Sequence, residues 1–491
     1  MPPAALLALI AVCASVLLLS WRRLARRWQH RSNPNLPALV TNTWNLLLGC
    51  SLDFRKDPVA FLQSVRRQHG GVFTLDMAGQ YMVIMADPIA VQQYVRERED
   101  TLDSTECREP FGFGETLGQL SNQHGAGVMS LLLRRLTASD LKGEWMVQLL
   151  QEMQAVHSEL CVTPRIDLLP YSRQLVLRSM MRFFFGREYV AHLPERFFSQ
   201  FASFQDAQED AVGVALAVPK WIIAPVVLSP VNSSRVRLQK MLLDAFKQTT
   251  VVGPYLKALK EHCTVMAVDL HCDESQLFAE LIISFLFAAH KNPSISGTHL
   301  VTMLLSNPDC LQRVRDEAHA ALRQAGSNTG GDPAAFSASV ITASTPYLDS
   351  CISESLRLTV HTIGSLRLVK KAFSFTTSTG QSFTLPPGYL VGTSQCALSY
   401  REEVYPKAST FDPARFAEQQ LDLQEAGFLP FSDGKHRCPG RAIALAVIKA
   451  FVLLWVLSHP SLALAPDHKV TIAFDKATLA QTSATLITGR Q

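Results

Sequence analysis

The sequence carries almost no net charge once its first 31 residues are set aside. The 491-residue chain contains 46 Lys and Arg against 42 Asp and Glu, but five arginines and no acidic residue lie in those 31 residues. The remainder holds 41 basic and 42 acidic side chains. A nucleic-acid-binding surface needs an excess of positive charge. We therefore predict no nucleic-acid partner.

Cysteine pairs at metal-binding spacing are also lacking, as are repeats and low-complexity linkers. The ten cysteines are spread along the chain, and none forms a structural disulfide if the protein faces the reducing cytosol. A chain of this length could form two or three average domains. Because nothing divides it, and because 47% of its residues are apolar, we predict one large domain.

Charge is absent from residues 4–20, an apolar run that Trp21 and the five arginines follow. Its length is at the short end of a membrane span, and the arginines predict a cytosolic C-terminal side. A cleaved signal peptide is the alternative, but its positive charge usually precedes the apolar run. Residues 1–31 are thus predicted to be a membrane anchor and 32–491 the single domain, with a stiff proline hinge at 33–37 between them.

Hydrophobic periodicity predicts a mainly α-helical domain with small β-sheets. Residues 72–75 and 81–85 are typical of a hairpin around a turn at 77–80, and Asp57-Pro58 is typical of a helix start. Residues 326–333 form a glycine-rich loop. The other predicted elements are helices at 145–160, 236–247, 277–305 and 442–457, and strands at 365–369 and 382–385.

The most specific pattern surrounds Cys438. The stretch Phe431-Ser-Asp-Gly434-Lys-His436-Arg437-Cys438-Pro439-Gly440 reads Phe-x-x-Gly-x-x-x-Cys-x-Gly and leads into an apolar helix. A helix N-terminus and nearby basic side chains favour a thiolate, and glycines let backbone N–H groups reach its sulfur. These features suit a strong axial donor to a haem iron. The alternative is a buried structural cysteine.

This stretch resembles the haem-binding loop of the cytochrome P450 family. Other family marks follow the expected order: Glu354-Ser-Leu-Arg357, then Arg367, then Arg415 within Phe411-Asp-Pro413-Ala-Arg415-Phe416. The resemblance extends from about residue 36 to the end of the chain. It implies the cytochrome P450 fold, haem b (iron protoporphyrin IX) and Cys438 as the iron ligand. It also implies a buried triad of Glu354, Arg357 and Arg415.

The resemblance further implies contacts between basic side chains and the haem propionates. Arg367 is one expected contact, either His436 or Arg437 is another, and Arg135 is a third. Lys435, Arg437 and Arg441 would form a basic surface for an acidic flavoprotein reductase. Residues 477–486 occupy the place of the family's last substrate-contacting loop, and His361 either lines the pocket or is a loop residue with its hydrogen bonds satisfied.

The long helix departs from the family's common pattern. Most oxygen-inserting members carry Ala-Gly-x-(Asp or Glu)-Thr, whose threonine helps to deliver protons. Here the stretch reads Ala288-Ala289-His290-Lys291-Asn292-Pro293-Ser294, which places Lys291 at the acid and Asn292 at the threonine. Pro293 should kink the helix, and Ser294 could supply a substitute hydroxyl. Because neighbouring helical residues point about 100° apart, at most one of His290 and Lys291 should face the pocket, and both could face away.

Asparagine at this position, with a proline soon after, resembles a smaller group that includes sterol 7α- and 12α-hydroxylases and prostacyclin synthase. Three functions follow. The first is a membrane-anchored monooxygenase of the endoplasmic reticulum, with a cytosolic haem domain, that hydroxylates a sterol or other lipid with O2 and reductase electrons. The second is an isomerase of endoperoxides or hydroperoxides that needs no reductase. The third is a haem-binding protein without turnover.

Overall fold

The chain folds mainly into α-helices, as predicted. A computed structural model describes residues 3–42, 45–138, 144–215, 218, 220–324, 345–359, 363–417, 427–467, 470–473 and 481–488. In the first half of the chain its helices are α1 (Pro3–Arg31), α2 (Ser51–Lys56), α3 (Pro58–His69), α4 (Pro88–Arg96), α5 (Phe113–Leu117), α6 (Gln119–Ala138), α7 (Glu144–Leu160), α8 (Leu168–Phe185), α9 (Arg187–Ala191), α10 (Arg196–Ala215), α11 (Lys220–Ile223) and α12 (Ser229–Gln248). The second half contains α13 (Pro254–Asp269), α14 (Glu274–Ser306), α15 (Pro308–Gln324), α16 (Pro346–Leu358), α17 (Gln395–Ser399), α18 (Ala414–Ala417) and α19 (Arg441–Ser458).

Small β-sheets lie beside the helices. Their strands are β1 (Leu39–Val40), β2 (Val72–Met77), β3 (Gln80–Met85), β4 (Leu102–Asp103), β5 (Arg165–Asp167), β6 (Gly364–Val369), β7 (Phe373–Thr376), β8 (Ser382–Leu385), β9 (Leu390–Thr393), β10 (Ala463–Leu464), β11 (Thr471–Ala473), β12 (Gln481–Ser483) and β13 (Thr485–Ile487). The largest sheet has the order β1-β2-β3-β9-β6-β4, and a second has the order β10-β13-β5. Two further pairs, β7-β8 and β11-β12, are antiparallel.

Local sequence explains several of these boundaries. The β2-β3 hairpin turns at Ala78 and Gly79, whose φ angles of 51° and 88° are both positive, as a tight two-residue hairpin turn requires. Helix α3 begins where the Asp57 side chain accepts a hydrogen bond from the Ala60 amide, with Pro58 in the first turn. Asp273 caps α14 in the same way.

Helix α14 is the long helix that the sequence predicts, and it packs against α6, α8 and α19. It continues through Pro293, so the proline does not end the helix. A proline has no N–H, however, and the carbonyl of Ala289 therefore loses its intrahelical donor. Regular hydrogen bonding is therefore interrupted in the middle of α14.

Helix α19 follows the Cys438 stretch and lies in the core. Among the described residues, it is the helix long and apolar enough to cross a membrane by length and composition, but most of it is buried within the protein. Its contacts with α7, α14 and α16 identify it as a core helix.

The N-terminal helix is bonded directly to the domain. Arg27 Nε lies 2.7 Å from a carboxylate oxygen of Asp76 in β2, and both side chains are buried. His30 bonds through Nδ1 to the Tyr389 hydroxyl at 2.9 Å and through Nε2 to the Pro37 carbonyl at 2.8 Å. The predicted hinge at 33–37 therefore does not act as a free joint, because the end of α1 is bonded directly to the domain that follows the hinge.

Glu354, Arg357 and Arg415 form a buried charge triad. Arg357 binds Glu354 in a bidentate manner, with N···O distances of 2.7 Å from both Nε and Nη2. Arg415 Nε lies 3.3 Å from the same carboxylate, which also accepts a bond from the Asp412 amide at 3.0 Å. Arg357 donates to the Ser399 carbonyl at 2.6 Å. The triad thus joins α16 to α17 and to the segment at α18.

Replacing Arg357 with alanine should destabilise the protein strongly, since Glu354 would keep a buried charge with one partner removed. The expected loss is about 3–5 kcal/mol in the free energy of unfolding, measured by denaturant titration. Arg165→Ala is the matched control, because its bidentate pair with Asp467 is exposed and should matter far less. Equal effects of the two substitutions would contradict a structural role for the triad.

Candidate functional site

A cavity of about 510 Å³ lies between the Cys438 stretch and α14. Cys438 and Gly440 line one part of its wall, and Asn292 and Pro293 line another. Its remaining described lining is mostly apolar and includes Met129, Leu133, Met180, Phe184, Phe285, Ile443 and Ile448. The cavity brings a thiol together with the part of α14 that departs from the common pattern.

Two glycines shape the loop that carries the thiol. Gly434 has a φ of +63°, and a Cβ there would lie 2.3 Å from the Val95 carbonyl oxygen, so only glycine fits. The Cys438 amide donates to the Phe431 carbonyl at 2.9 Å, and the Gly440 N–H donates to the Cys438 sulfur. The loop therefore presents the sulfur with one backbone hydrogen bond already aimed at it.

The electrostatics of Cys438 differ from the expectation. Cys438 is accessible to solvent, but the surrounding protein still desolvates its thiol and so raises the pKa, and the Gly440 hydrogen bond acts in the opposite direction. Lys435, Arg437 and Arg441 are exposed, and none of them contributes to the shift of this pKa. Coordination to a metal would supply the missing stabilisation, because a coordinating thiol is deprotonated.

Of the four predicted residues on α14, two reach the cavity. Asn292 and Pro293 line it, whereas Lys291 and Ser294 are not among the lining residues. The Ser294 hydroxyl donates to the His290 carbonyl one turn earlier, at 2.7 Å. Ser296, which no sequence motif marks, lines the cavity one turn after Asn292. The hydroxyl at this wall therefore belongs to Ser296 and not to Ser294.

Lys291 and His290 face away from the cavity into a polar network on α8 and α10. The Lys291 ammonium lies 2.5 Å from Glu209 and 3.2 Å from Asp206, and its side chain is only 4% exposed. His290 contacts Gln205 through Nδ1 and the Arg173 carbonyl through Nε2. Burial, followed by the charge of Arg173, lowers the pKa of His290 to about 3. It is therefore neutral at physiological pH.

A second cavity, of about 420 Å³, adjoins the first and shares His436 with it. Arg367 lines this second cavity and donates to the carbonyls of Leu102, Tyr94 and Glu97, at 2.8, 3.0 and 3.1 Å. Arg367 Nη2 also lies 3.1 Å from a carboxylate oxygen of Glu99, and His436 Nε2 lies 2.9 Å from the same oxygen. Burial and then the charge of Arg367 lower the pKa of His436.

Arg108 also lines the second cavity, and no motif in the sequence marked it. Of the remaining predicted contacts, Phe431 lines the first cavity, but Arg135 and Arg437 are exposed and line neither. His361 and residues 477–480 lie outside the described residues, and residues 481–486 do not line either cavity.

Comparison with known proteins agrees with this geometry. The family model for cytochrome P450 matches residues 269–487, which include α14, the triad and the Cys438 loop. The chain belongs to the cytochrome P450 family. The predicted fold, mainly α with small β-sheets, is confirmed as that of a cytochrome P450.

Relatives of this cytochrome P450 include several sterol-metabolising proteins. The chain is 24% identical over 446 residues to the "7-alpha-hydroxycholest-4-en-3-one 12-alpha-hydroxylase" of Homo sapiens, covering 83% of each chain. It is 22% identical over 422 residues to the "Sterol 14-demethylase" of Arabidopsis thaliana, covering 83% of this chain and 82% of the relative. It is 22% identical over 451 residues to "Cytochrome P450 7A1" of Sus scrofa, covering 86% of each.

The residues present fit the haem that cytochromes P450 bind. The first cavity has apolar walls and a thiol whose sulfur accepts a backbone hydrogen bond, which is the donor environment of a haem-thiolate iron. The adjoining cavity offers cationic and imidazole side chains suited to propionates. The sulfur in the first cavity and the cations in the adjoining one are therefore close enough together to bind a single haem, at its iron and its propionates.

Gly434→Ala should displace the Cys438 loop and reduce haem incorporation, because the added methyl group collides with the Val95 backbone. The haem-to-protein ratio and the free energy of unfolding measure this effect. Gly388→Ala is the matched control: its φ is +92°, yet nothing lies within 4 Å of an added Cβ. The control should cost roughly 1–2 kcal/mol from backbone strain alone and leave haem content unchanged. Equal haem loss in both would contradict the steric argument.

Proposed function

We propose that this protein is a membrane-anchored haem-thiolate monooxygenase that hydroxylates a sterol or another neutral lipid. It would use O2 and electrons from a flavoprotein reductase. The observation that carries the proposal is the single cavity in which the Cys438 thiol and an altered α14 wall of Asn292 and Ser296 meet.

We assign haem b to this cavity, with Cys438 as the axial ligand of the iron. The Gly440 N–H would hold the sulfur, and Arg108, Arg367 and His436 would receive the propionates from the adjoining cavity. When bound, a haem with a thiolate ligand supplies oxygen activation and favours O–O cleavage. The protein supplies the position of the lipid and the path of the protons.

The charge of the cavity supports a neutral substrate. Among its described lining residues there is no carboxylate, ammonium or guanidinium group, and the pKa of the His436 imidazole is lowered by burial. Lys291, the cation nearest in sequence to Asn292, is held by Glu209 and Asp206. A substrate carboxylate would thus find no cation on α14, whereas a sterol needs apolar walls with few polar groups.

Proton delivery would run along the Asn292 face of α14. An amide can orient a water molecule or a substrate hydroxyl, but it does not pass a proton as a hydroxyl does. Ser296 lies one turn further along the same wall and has a hydroxyl. We propose that Ser296 takes over the proton-transfer role that a threonine has in most members.

Anchoring would come from α1, whose first turns contain the apolar run. The exposed apolar side chains in its described part are Leu17, Leu18, Leu19, Trp21, Leu24 and Trp28. Such a surface suits a lipid bilayer and its interface, with the arginines on the cytosolic side. We propose the endoplasmic reticulum membrane, with the haem domain in the cytosol.

An isomerase of endoperoxides or hydroperoxides is the second candidate, and Asn292 is the observation that favours it. Such a reaction rearranges oxygen already present in the substrate and needs no external protons or electrons. Loss of the threonine hydroxyl would therefore not lower the activity of an isomerase.

Cys438→Ala should abolish the thiolate-type absorption band of the reduced protein with carbon monoxide, and Cys396→Ala, at a buried cysteine elsewhere, should keep it. Wild-type protein should convert a sterol only when reductase and electron donor are present. Turnover of a peroxide without reductase would favour the isomerase. A haem-loaded wild-type protein without the thiolate band would falsify the ligand assignment.

Ser296→Ala should lower the fraction of electrons that end in oxygenated product, because the proposed proton path loses its hydroxyl. Ser294→Ala is the matched control, because Ser294 lies between Asn292 and Ser296 but not on the cavity wall, and it should leave this fraction unchanged. Asn292→Thr should raise it. The ratio of product formed to reduced cofactor consumed is the measurement, and equal behaviour of the two serine variants would contradict the assignment.

A further inference from the structure

Three potential metal ligands meet far from the haem cavity. His157 lies in the last turn of α7, Cys161 directly follows that helix, and His459 directly follows α19. Their ligand atoms all lie within 4.8 Å of one another, and all three side chains are buried, with at most 5% exposed. The mechanism proposed above uses none of them.

The two distances that involve His459 are close to the edges of a tetrahedral metal site. His157 Nε2 lies 3.2 Å from His459 Nε2, and Cys161 Sγ lies 3.7 Å from the same nitrogen. Zinc bonds of about 2.0–2.1 Å to nitrogen and 2.3 Å to sulfur, at a tetrahedral angle, separate such atoms by roughly 3.3–3.6 Å. Two of the three edges therefore have nearly the required length, and the third, between His157 and Cys161, is no longer than 4.8 Å.

The surroundings orient one of these ligands as a metal site requires. The Tyr171 hydroxyl lies 2.7 Å from His157 Nδ1, which leaves Nε2 to face His459 and Cys161. A hydrogen-bonded group on the second ring nitrogen is the usual companion of a ligating histidine. The ring of Trp455 packs against His157, Tyr171 and His459 and makes the rest of the wall aromatic.

We propose that His157, Cys161 and His459 bind a zinc ion. One thiolate and two imidazoles form a ligand set that zinc prefers over calcium or magnesium, which need oxygen ligands. A fourth position would be taken by water.

The position of the site indicates which parts of the fold the ion would connect. Helix α19 starts three residues after Cys438 and ends one residue before His459, so its 18 residues separate the two sites by about 27 Å along the helix. A zinc ion here would tie α7 to the far end of the helix whose first turn follows the haem-binding loop. The sequence offered no sign of it, because His459 lies about 300 residues from its partners.

The competing arrangement is a metal-free chain of hydrogen bonds. Tyr171 could donate to His157, and His157 to His459, within the same distances. Metal analysis distinguishes the two arrangements directly. Untagged holoprotein, expressed in zinc-supplemented medium and dialysed against excess zinc and then metal-free buffer, would be assayed by mass spectrometry for zinc and for haem iron.

The expected result is about one zinc per haem iron in the wild type. Cys161→Ser and His459→Gln should each lower this ratio at least tenfold, while Cys351→Ser, at another buried cysteine, should not. The reduced carbon monoxide spectrum reports which variants are folded. Wild-type protein without zinc, copper in place of zinc, or zinc retained in both ligand variants would overturn the proposal.

If the ligand variants do not fold, X-ray absorption at the zinc edge of the wild type decides the question alone. One sulfur and two imidazole nitrogens should surround the metal. A shell without sulfur would overturn the assignment.

Discussion

The carboxylate of Glu354 is the group on which the haem-binding half of the molecule depends. It is completely buried, and such a charge persists only while all of its partners are in place. Those partners are Arg357, Arg415 and the Asp412 amide, which come from a helix and from the segment that leads towards Cys438. The position of the sulfur is therefore coupled to a complete set of charge contacts outside the cavity, in addition to the loop's own glycines.

Features carried by local spacing were predictable, and those set by distant packing were not. The pattern around Cys438 and the three-residue spacing of Glu354 and Arg357 can both be recognised from the sequence alone. The long helix was expected at 277–305 and extends over Glu274–Ser306. The direction of each α14 side chain was not readable, because it depends on α8 and α10. For the same reason Ser296 was missed, and Arg367 was not expected to be held by three carbonyls.

Charge on α14 is arranged asymmetrically. Lys291 and His290 turn outwards into contacts with α8 and α10, while neutral Asn292, Pro293 and Ser296 turn inwards. The ion pairs of Lys291 with Glu209 and Asp206 attach α14 to α10 within one turn of Pro293. That proline weakens the regular hydrogen bonding of the helix. The helix can thus tolerate the Ala289 carbonyl, which lacks an intrahelical donor, because ion pairs fix the opposite side of the helix. The same arrangement of residues therefore gives α14 a neutral face towards the cavity and a charged face that binds α10.

The attachment of α1 to the sheet has a mechanical consequence. Because Arg27 and His30 are bonded to Asp76 and Tyr389, the helix extends from the domain as a rigid lever and not as a flexible tether. Any surface that captures its apolar turns also sets the tilt of the whole molecule. A force applied to α1 at that surface would pass directly to β2 and to the residue that precedes β9. The attachment of α1 to the domain would then fix the orientation of the cavity relative to such a surface.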